Sequence, residues 1–257
     1  MAIKVGDKMW LPIRDDWQLE GIVDSVYADD DYEYATFIIP EMSNYKTGEY
    51  FFPKRIMNVE AIADRANMPL DYSGKGMEAF DWRFYKDAGT EMKATVETFL
   101  FRLDDFLKQS MGLYIHSKTK GSGKTMLACC IGNEIIKRRG LSVKFVDIQD
   151  FIQAYRDKEA DEFLNASVLI VDDLGIQDDK KEWIASIVYA LVNRRYNRQK
   201  LTIFTSNKPF AECSSEDRIV SRVERMAIEV AVPEIPVRSI QAKILKDSML
   251  KSIMEAE

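Results

Sequence analysis

The segment Lys118-Thr119-Lys120-Gly121-Ser122-Gly123-Lys124-Thr125 constrains this chain more than any other. It lies between an apolar, β-branched run at residues 113–116 and a helix-length segment at 126–139. A glycine-rich turn from strand to helix gathers successive backbone N–H groups and a helix amino terminus around one point, which suits a phosphate. Lysine adds a cation that reaches the outer phosphate oxygens, and the hydroxyl of Thr125 adds a ligand for Mg²⁺. Gly121, Ser122, Gly123, Lys124 and Thr125 thus form a candidate nucleotide-phosphate site of the Walker A kind. The pattern GxxxxGK[ST] has glycine at its first position, where this chain has Lys118. A side chain there narrows the backbone torsions but leaves the later N–H donors in place.

The flanks of the loop set the fold class. Short apolar or β-branched runs at 113–116, 143–146, 168–171, 201–204 and 226–230 are separated by helix-length segments, and a helical pattern at 91–109 precedes them. Strands joined by crossover helices make a parallel sheet covered on both faces, so residues 79–257 read as a three-layer α/β sandwich. The run 168–171 ends in Asp172-Asp173-Leu174-Gly175. At the carboxyl end of a strand beside a phosphate loop, Asp172 is placed to hold Mg²⁺ together with Thr125, and Asp173 to orient or deprotonate a water. Lys124 and Asp172 are 48 residues apart, room for a helix, a strand and a second helix. The run 201–204 leads into Thr205-Ser206-Asn207, a polar tip at the same sheet edge, from which Asn207 faces the water or the γ-phosphate.

The first sixty residues are of another kind. They hold 6 Lys+Arg against 12 Asp+Glu, out of 36 and 42 in the whole chain, which leaves 30 of each in the remainder. The net charge of −6 therefore resides in that segment. An acidic surface repels phosphate backbones, so this part is expected to meet a protein or to serve as a solubilising surface. Runs at 21–28 and 32–39 flank Asp29-Asp30-Asp31 as a hairpin, and in the second run Glu33, Ala35, Phe37 and Ile39 alternate with Tyr32, Tyr34, Thr36 and Ile38. A small barrel is expected. A further strand at 49–52 and a helix at 58–66 complete a β-rich domain over 1–66, and Pro69, Gly74 and Gly76 mark a linker at 67–78.

Composition removes other classes. With 46% hydrophobic and 30% charged residues, 12 Gly and 7 Pro, the chain is not collagen-like, mucin-like or mainly disordered. No apolar run approaches the roughly 20 residues of a membrane span. The opening Met1-Ala2-Ile3-Lys4-Val5-Gly6-Asp7 does not read as a secretory signal, so a cytoplasmic location is expected. Cys129, Cys130 and Cys213 suit neither a disulfide framework nor a zinc cluster, and a lone His116 excludes multi-histidine metal sites and argues against a Ser-His-Asp hydrolase. Cys129 and Cys130 read as buried fillers, His116 as a satisfied strand end, and Leu245, Met249 and Ile253 as the core face of a last helix.

Gly121-Ser122-Gly123-Lys124-Thr125, Ile170-Val171-Asp172-Asp173-Leu174-Gly175 and Thr205-Ser206-Asn207, in this order and spacing, resemble the AAA+ ATPases. Within them the chain looks like the replicative helicase loaders of the DnaC and DnaI type and the related IstB-type transposition ATPases. The resemblance covers about residues 78–245, and residues 1–60 do not resemble the amino-terminal domains of either group. It implies a sheet order of 5-1-4-3-2 and ATP with Mg²⁺ at the strand ends. It also implies an arginine offered to the neighbouring subunit's ATP, for which Arg222 in Asp217-Arg218-Ile219-Val220-Ser221-Arg222-Val223 fits first and Arg218 second. Arg238 falls where the family's final helix brings a further arginine to the nucleotide. Single-stranded DNA binding is implied as well, with candidates Tyr155, Arg156 and Lys158, and Arg194, Arg195, Arg198 and Lys200 with Tyr196 interleaved. Phe80-Asp81-Trp82 either borders the adenine or packs on the core.

The function so implied is an ATP-dependent loader that delivers a hexameric replicative helicase to single-stranded DNA and self-associates through its ATPase domain. Asp173 reaches less far than a glutamate, so basal hydrolysis is expected to be slow. A transposition regulator that binds duplex DNA and a transposase, and a nucleotide-switched adaptor that inhibits a host protein, are the alternatives. A small-molecule kinase is disfavoured, because nothing resembles an acceptor pocket.

Overall fold

The computed structural model describes residues 4–14, 17–28, 32–53, 59–175 and 181–254. The chain divides into two compact units, Met1–Asn58 and Val59–Glu257. In the first, strands β1 (Lys8–Arg14), β2 (Trp17–Ala28), β3 (Tyr32–Ile39), β4 (Tyr45–Lys46) and β5 (Tyr50–Pro53) form one antiparallel sheet in the order β1-β2-β3-β4, with β5 also on β3. The expected hairpin is β2 with β3, Ala28 lying opposite Glu33. Its period of two sorts the side chains: Ala35, Phe37 and Ile39 are buried with Leu11, Leu19 and Val23, while Tyr27 stacks on Tyr34 at 4.8 Å. Closure into a barrel is not among the described strand pairings.

In the second unit β6 (Gly112–His116), β7 (Val143–Asp147), β8 (Val168–Leu174), β9 (Leu201–Ser206) and β10 (Ala227–Ala231) pair in parallel in the order β10-β6-β9-β8-β7. Numbered within this sheet, that is 5-1-4-3-2, as the resemblance implies. Helices cover both faces, which is why the central strands are apolar without interruption. Leu113, Ile115, Val168, Ile170, Leu201 and Ile203 enter one core cluster, and Tyr114, Leu169, Val171 and Phe204 the other. Helix α4 (Lys124–Arg139) belongs to the first layer, and α5 (Ile148–Arg156), α6 (Asp161–Asn165), α7 (Glu182–Asn197) and α8 (Asp217–Met226) to the second. Before β6 come α1 (Val59–Asp64), α2 (Thr90–Phe101) and α3 (Leu103–Gln109), and after β10 comes α9 (Val237–Met254).

Three expectations are corrected. Residues 67–78 are not a free linker: Met68 is buried, and Asn133 of α4 donates to the carbonyls of Tyr72 and Lys75, both at 2.9 Å. Glycine and proline punctuation marks an irregular backbone, and here that backbone is held by a side chain about sixty positions away. The helix expected at 91–109 breaks at Arg102, whose ψ of 29° separates α2 from α3. In α9, Leu245 and Met249 are 62% and 57% exposed rather than in the core, as are Ile240 and Ile244 in part, and Ile253 lies outside the described side chains. Helical spacing identifies an apolar face but not whether another element covers it.

Candidate nucleotide site

The loop between β6 and α4 adopts left-handed torsions at Gly121 (φ 72°) and Gly123 (φ 96°), where a side chain would be strained. At Gly123 a Cβ would also collide with the Tyr85 hydroxyl, which donates to the Ser122 carbonyl at 2.6 Å. Lys118 has no such torsion, which accounts for a lysine at that position. Its backbone N–H donates to Glu234 Oε1 at 2.8 Å, so the loop's entry is fastened by the segment between β10 and α9. The first turn of α9 adds a second tie, from Arg238 N to the Gly121 carbonyl at 3.0 Å. Lys124 is buried, and its ammonium donates to the Thr119 carbonyl at 3.1 Å. Burial pushes its pKa down, against the opposing pull of Asp173 and Asp172.

Opposite the loop, β8 pairs regularly with β9 up to Val171 and Phe204 and then slips, so that Leu174 next faces Ser206. The extra residue is a bulge, which kinks the strand and re-aims its side chains. Asp173 takes φ 55°, a left-handed torsion that aspartate tolerates better than most residues. Thr125 Oγ1 lies 3.0 Å and 3.2 Å from the two oxygens of Asp172, and Thr205 Oγ1 donates to Oδ1 of the same carboxylate. Burial pushes the Asp172 carboxyl up to about 6, with the neighbouring charges of Asp173 and Asp147 adding to it and the two hydroxyls opposing. Carboxylate oxygens of Asp147, Asp172 and Asp173 lie within 4.8 Å of one another. Three mutually repelling acids beside a threonine hydroxyl are a donor set suited to a hard divalent cation, so Thr125 and Asp172 fit Mg²⁺.

Two neighbouring cavities meet at the loop. One, of about 440 Å³, brings together Lys124, Thr125, Asp173, Asn207 and Arg238. The other, of about 520 Å³, is lined by Tyr72, Phe80, Tyr85, Met126, Val237 and Arg238 among others. A polar compartment beside an aromatic one is the shape of a nucleotide's phosphates and base. Of the Phe80-Asp81-Trp82 segment, Phe80 and Asp81 line the aromatic cavity, and Phe80 stacks on Tyr85 at 5.5 Å. Asn207 Nδ2 stands 3.5 Å from Asp173 Oδ1.

Other expected site residues lie elsewhere. Arg222 lies on α8 and donates to Asn193, Tyr189 and the Arg218 carbonyl, and Arg218 sits over the Tyr189 ring at 4.4 Å. Neither lines the two cavities. Arg195 is not a DNA contact. It is fully buried and donates to the carbonyls of Ala166 and Leu201 and to Thr202 Oγ1, so its guanidinium staples α7 to β9 and α6. Burial pushes it down to about 9, still protonated at neutral pH. Arg194 pairs with Asp161 and Arg198 donates to Asn165, at the last turn of α7. Arg156 stands over Trp183 at the first turn, and Tyr155 and Lys158 are exposed near it in sequence. Trp183 and Arg194 are eleven positions apart, about 16 Å along the helix, so the two basic groups do not meet. His116 lies 3.1 Å from Glu229, and Cys129 and Cys130 are buried, as expected.

Sequence reasoning missed Asp147, Thr205, Tyr85 and Glu234. Asp147 follows the apolar run 143–146 and caps α5 by accepting from Gln149 N, a signal that a strand-to-helix turn carries. Thr205 stood in the quoted polar tip without a role. Tyr85 and Glu234 lie 37 and 116 positions from their loop partners, beyond any local pattern.

A parallel sheet in this order, with a phosphate loop after its first strand and paired acids after its third, defines a P-loop ATP-binding protein of the AAA+ type. Residues 58–220 match the family of IstB-like ATP binding proteins, and the chain belongs to that family. The replicative helicase loader DnaC of Escherichia coli (strain K12) is 26% identical over 122 residues, 43% of this chain and 49% of that protein. The chromosomal replication initiator protein DnaA of Treponema denticola is 29% identical over 128 residues, 46% of this chain and 27% of that protein. The chain thus matches about half the length of the loader. The crystal structure of the DnaC helicase loader superposes with a TM-score of 0.56 at 22% identity, covering 64% of this chain and all of that one. The crystal structure of DnaI gives 0.54 at 22%, covering 65% and 92%. Both likenesses are of fold.

Proposed function

We propose that this chain is an ATP-dependent loader that brings a hexameric replicative helicase to single-stranded DNA. The observation that carries the reading is the meeting of Lys124, Thr125, Asp173, Asn207 and Arg238 in one cavity beside Asp172, in a chain similar to a replicative helicase loader. Lys124 and the loop amides hold the phosphates, and Thr125 with Asp172 holds Mg²⁺. When bound, the cation would supply charge neutralisation to the phosphates. Asp173 orients the attacking water and accepts its proton, while Asn207 and Arg238 face the γ-phosphate. Arg222 or Arg218, neither of which lines its own chain's cavities, supplies the positive charge to a neighbouring copy, which makes hydrolysis depend on self-association. Tyr155, Arg156 and Lys158, and separately Arg194 and Arg198, are the surfaces offered to DNA. The acidic amino-terminal unit, which ends at Asn58 rather than at the expected residue 66 because α1 belongs to the second unit, is the arm that docks the helicase.

The test is the mass in solution of the purified chain with its source's hexameric helicase, with ATP and Mg²⁺ and without. A defined complex, lost when residues 1–58 are deleted, is the expected result. Membership of the IstB-like family favours a second reading, a transposition regulator on duplex DNA. No complex with the helicase and ATP-dependent assembly on duplex DNA would select it.

A further inference from the structure

We infer that Thr205 is the positioning residue that sets both acids of the site, through one hydroxyl that serves two neighbours in opposite senses. This inference rests on reading the loop as an ATP and Mg²⁺ site. The slip between β8 and β9 places two residues of β8, Asp172 and Asp173, against one of β9, Thr205, so one residue of β8 is left without a ladder partner. Asp173 N is 2.9 Å from Thr205 Oγ1. A backbone N–H can only donate, so the hydroxyl accepts there with a lone pair. Its own proton is then free for an acceptor, and the neighbour on that side is Oδ1 of Asp172. A carboxylate can only accept, so the direction of both bonds is fixed.

The consequence is geometric. Accepting from Asp173 N holds the peptide that carries the left-handed torsion at Asp173. Donating to Oδ1 holds the carboxylate plane of Asp172, which Thr125 grips from the other side. Oδ2 is left with the freer lone pair for a cation beside Thr125. Thr205 itself is fully buried in β9, so its hydroxyl has no competition from bulk water. Asn207, by contrast, approaches the side chain of Asp173 at 3.5 Å and not its backbone among the described contacts. Valine at position 205 keeps the shape and removes both bonds, and serine keeps both bonds.

The experiment is the affinity of the full chain for a fluorescent, non-hydrolysable ATP analogue, with Mg²⁺ and with EDTA, in wild type, Thr205→Val and Thr205→Ser. The wild type is expected to bind tighter with Mg²⁺. In Thr205→Val that tightening falls about tenfold while affinity in EDTA stays within about twofold, and Thr205→Ser restores it. Melting curves accompany each variant. If Thr205→Val does not fold, Thr205→Cys, which lacks the methyl group and keeps only a weak donor and acceptor, is expected to show an intermediate loss beside Thr205→Ser. The inference is overturned if the valine or cysteine variant keeps the full Mg²⁺ effect, or loses affinity equally in both buffers. A wild-type chain that binds the analogue in neither buffer overturns the nucleotide reading itself.

Discussion

Helices α4 and α9 both begin at the phosphate loop and enter opposite surroundings. In α4 the loop runs straight into a helix buried from Leu127 to Ile136, wedged between the sheet and the preceding segment. At α9 the contact is made from outside, by the segment that leads into the helix and by its first turn: Val232 N donates to the His116 carbonyl, Glu234 accepts from Lys118 N, and Arg238 N donates to the Gly121 carbonyl. Beyond Arg238 the described residues of α9 are exposed to Met249. The loop is thus anchored to the core on one side and to a surface helix on the other. Burial assigns stability to the first helix and leaves the second, with Arg238 at its base, to respond to what binds.

Truncation in α4 is the severest test of that contrast. Ile135→Ala removes a fully buried side chain and should cost about 3 kcal/mol in denaturant unfolding. A cost under about 1 kcal/mol would put α9 and α4 on the same footing. Next comes the acid facing the first turn of α4. The Asp172 carboxyl, pushed up to about 6 from 3.8, makes the native chain bind a proton that the unfolded chain releases between those values. Metal-free stability therefore falls as pH rises through that window. Asp172→Asn should raise unfolding stability by about 2 kcal/mol at pH 8 in EDTA and by almost nothing near pH 4, and a pH-independent effect would contradict the charge argument.

The link to α9 is tested by Glu234→Ala, which frees the loop's entry without touching the core. Nucleotide affinity should weaken about fivefold, on the order of 1 kcal/mol, with little change in Tm. Unchanged affinity would mean that the strap is ornamental to binding. Smallest of all, Leu245→Ser on the open face of α9 should shift unfolding by no more than about 0.5 kcal/mol. A larger loss would show that something covers that face in solution.

What the sequence disclosed follows the same division. The loop, the acidic strand end and the polar tip were legible because each is a run of adjacent residues whose chemistry requires adjacency, and the parallel order followed from strands spaced by helices. Lys118 was a departure on paper only, since the torsions that need glycine fall at Gly121 and Gly123. Long-range contacts were not legible. Arg195 resembles its neighbours Arg194 and Arg198 in sequence, and only its place against Ala166 and Leu201 makes it structural. Leu245 and Met249 have core spacing, yet both side chains are more than half exposed. The bulge that gives Thr205 its two roles arises from pairing between strands and leaves no mark in either one alone.

The most direct measurement is equilibrium binding of a fluorescent ATP analogue, with Mg²⁺, to the full chain and to Lys124→Ala. Saturable one-site binding by the wild type and a loss on the order of 100-fold in the variant, from removing a charge-assisted contact, is the expected result. Equal binding by the two proteins would contradict the assignment of residues 118–125 as the nucleotide site.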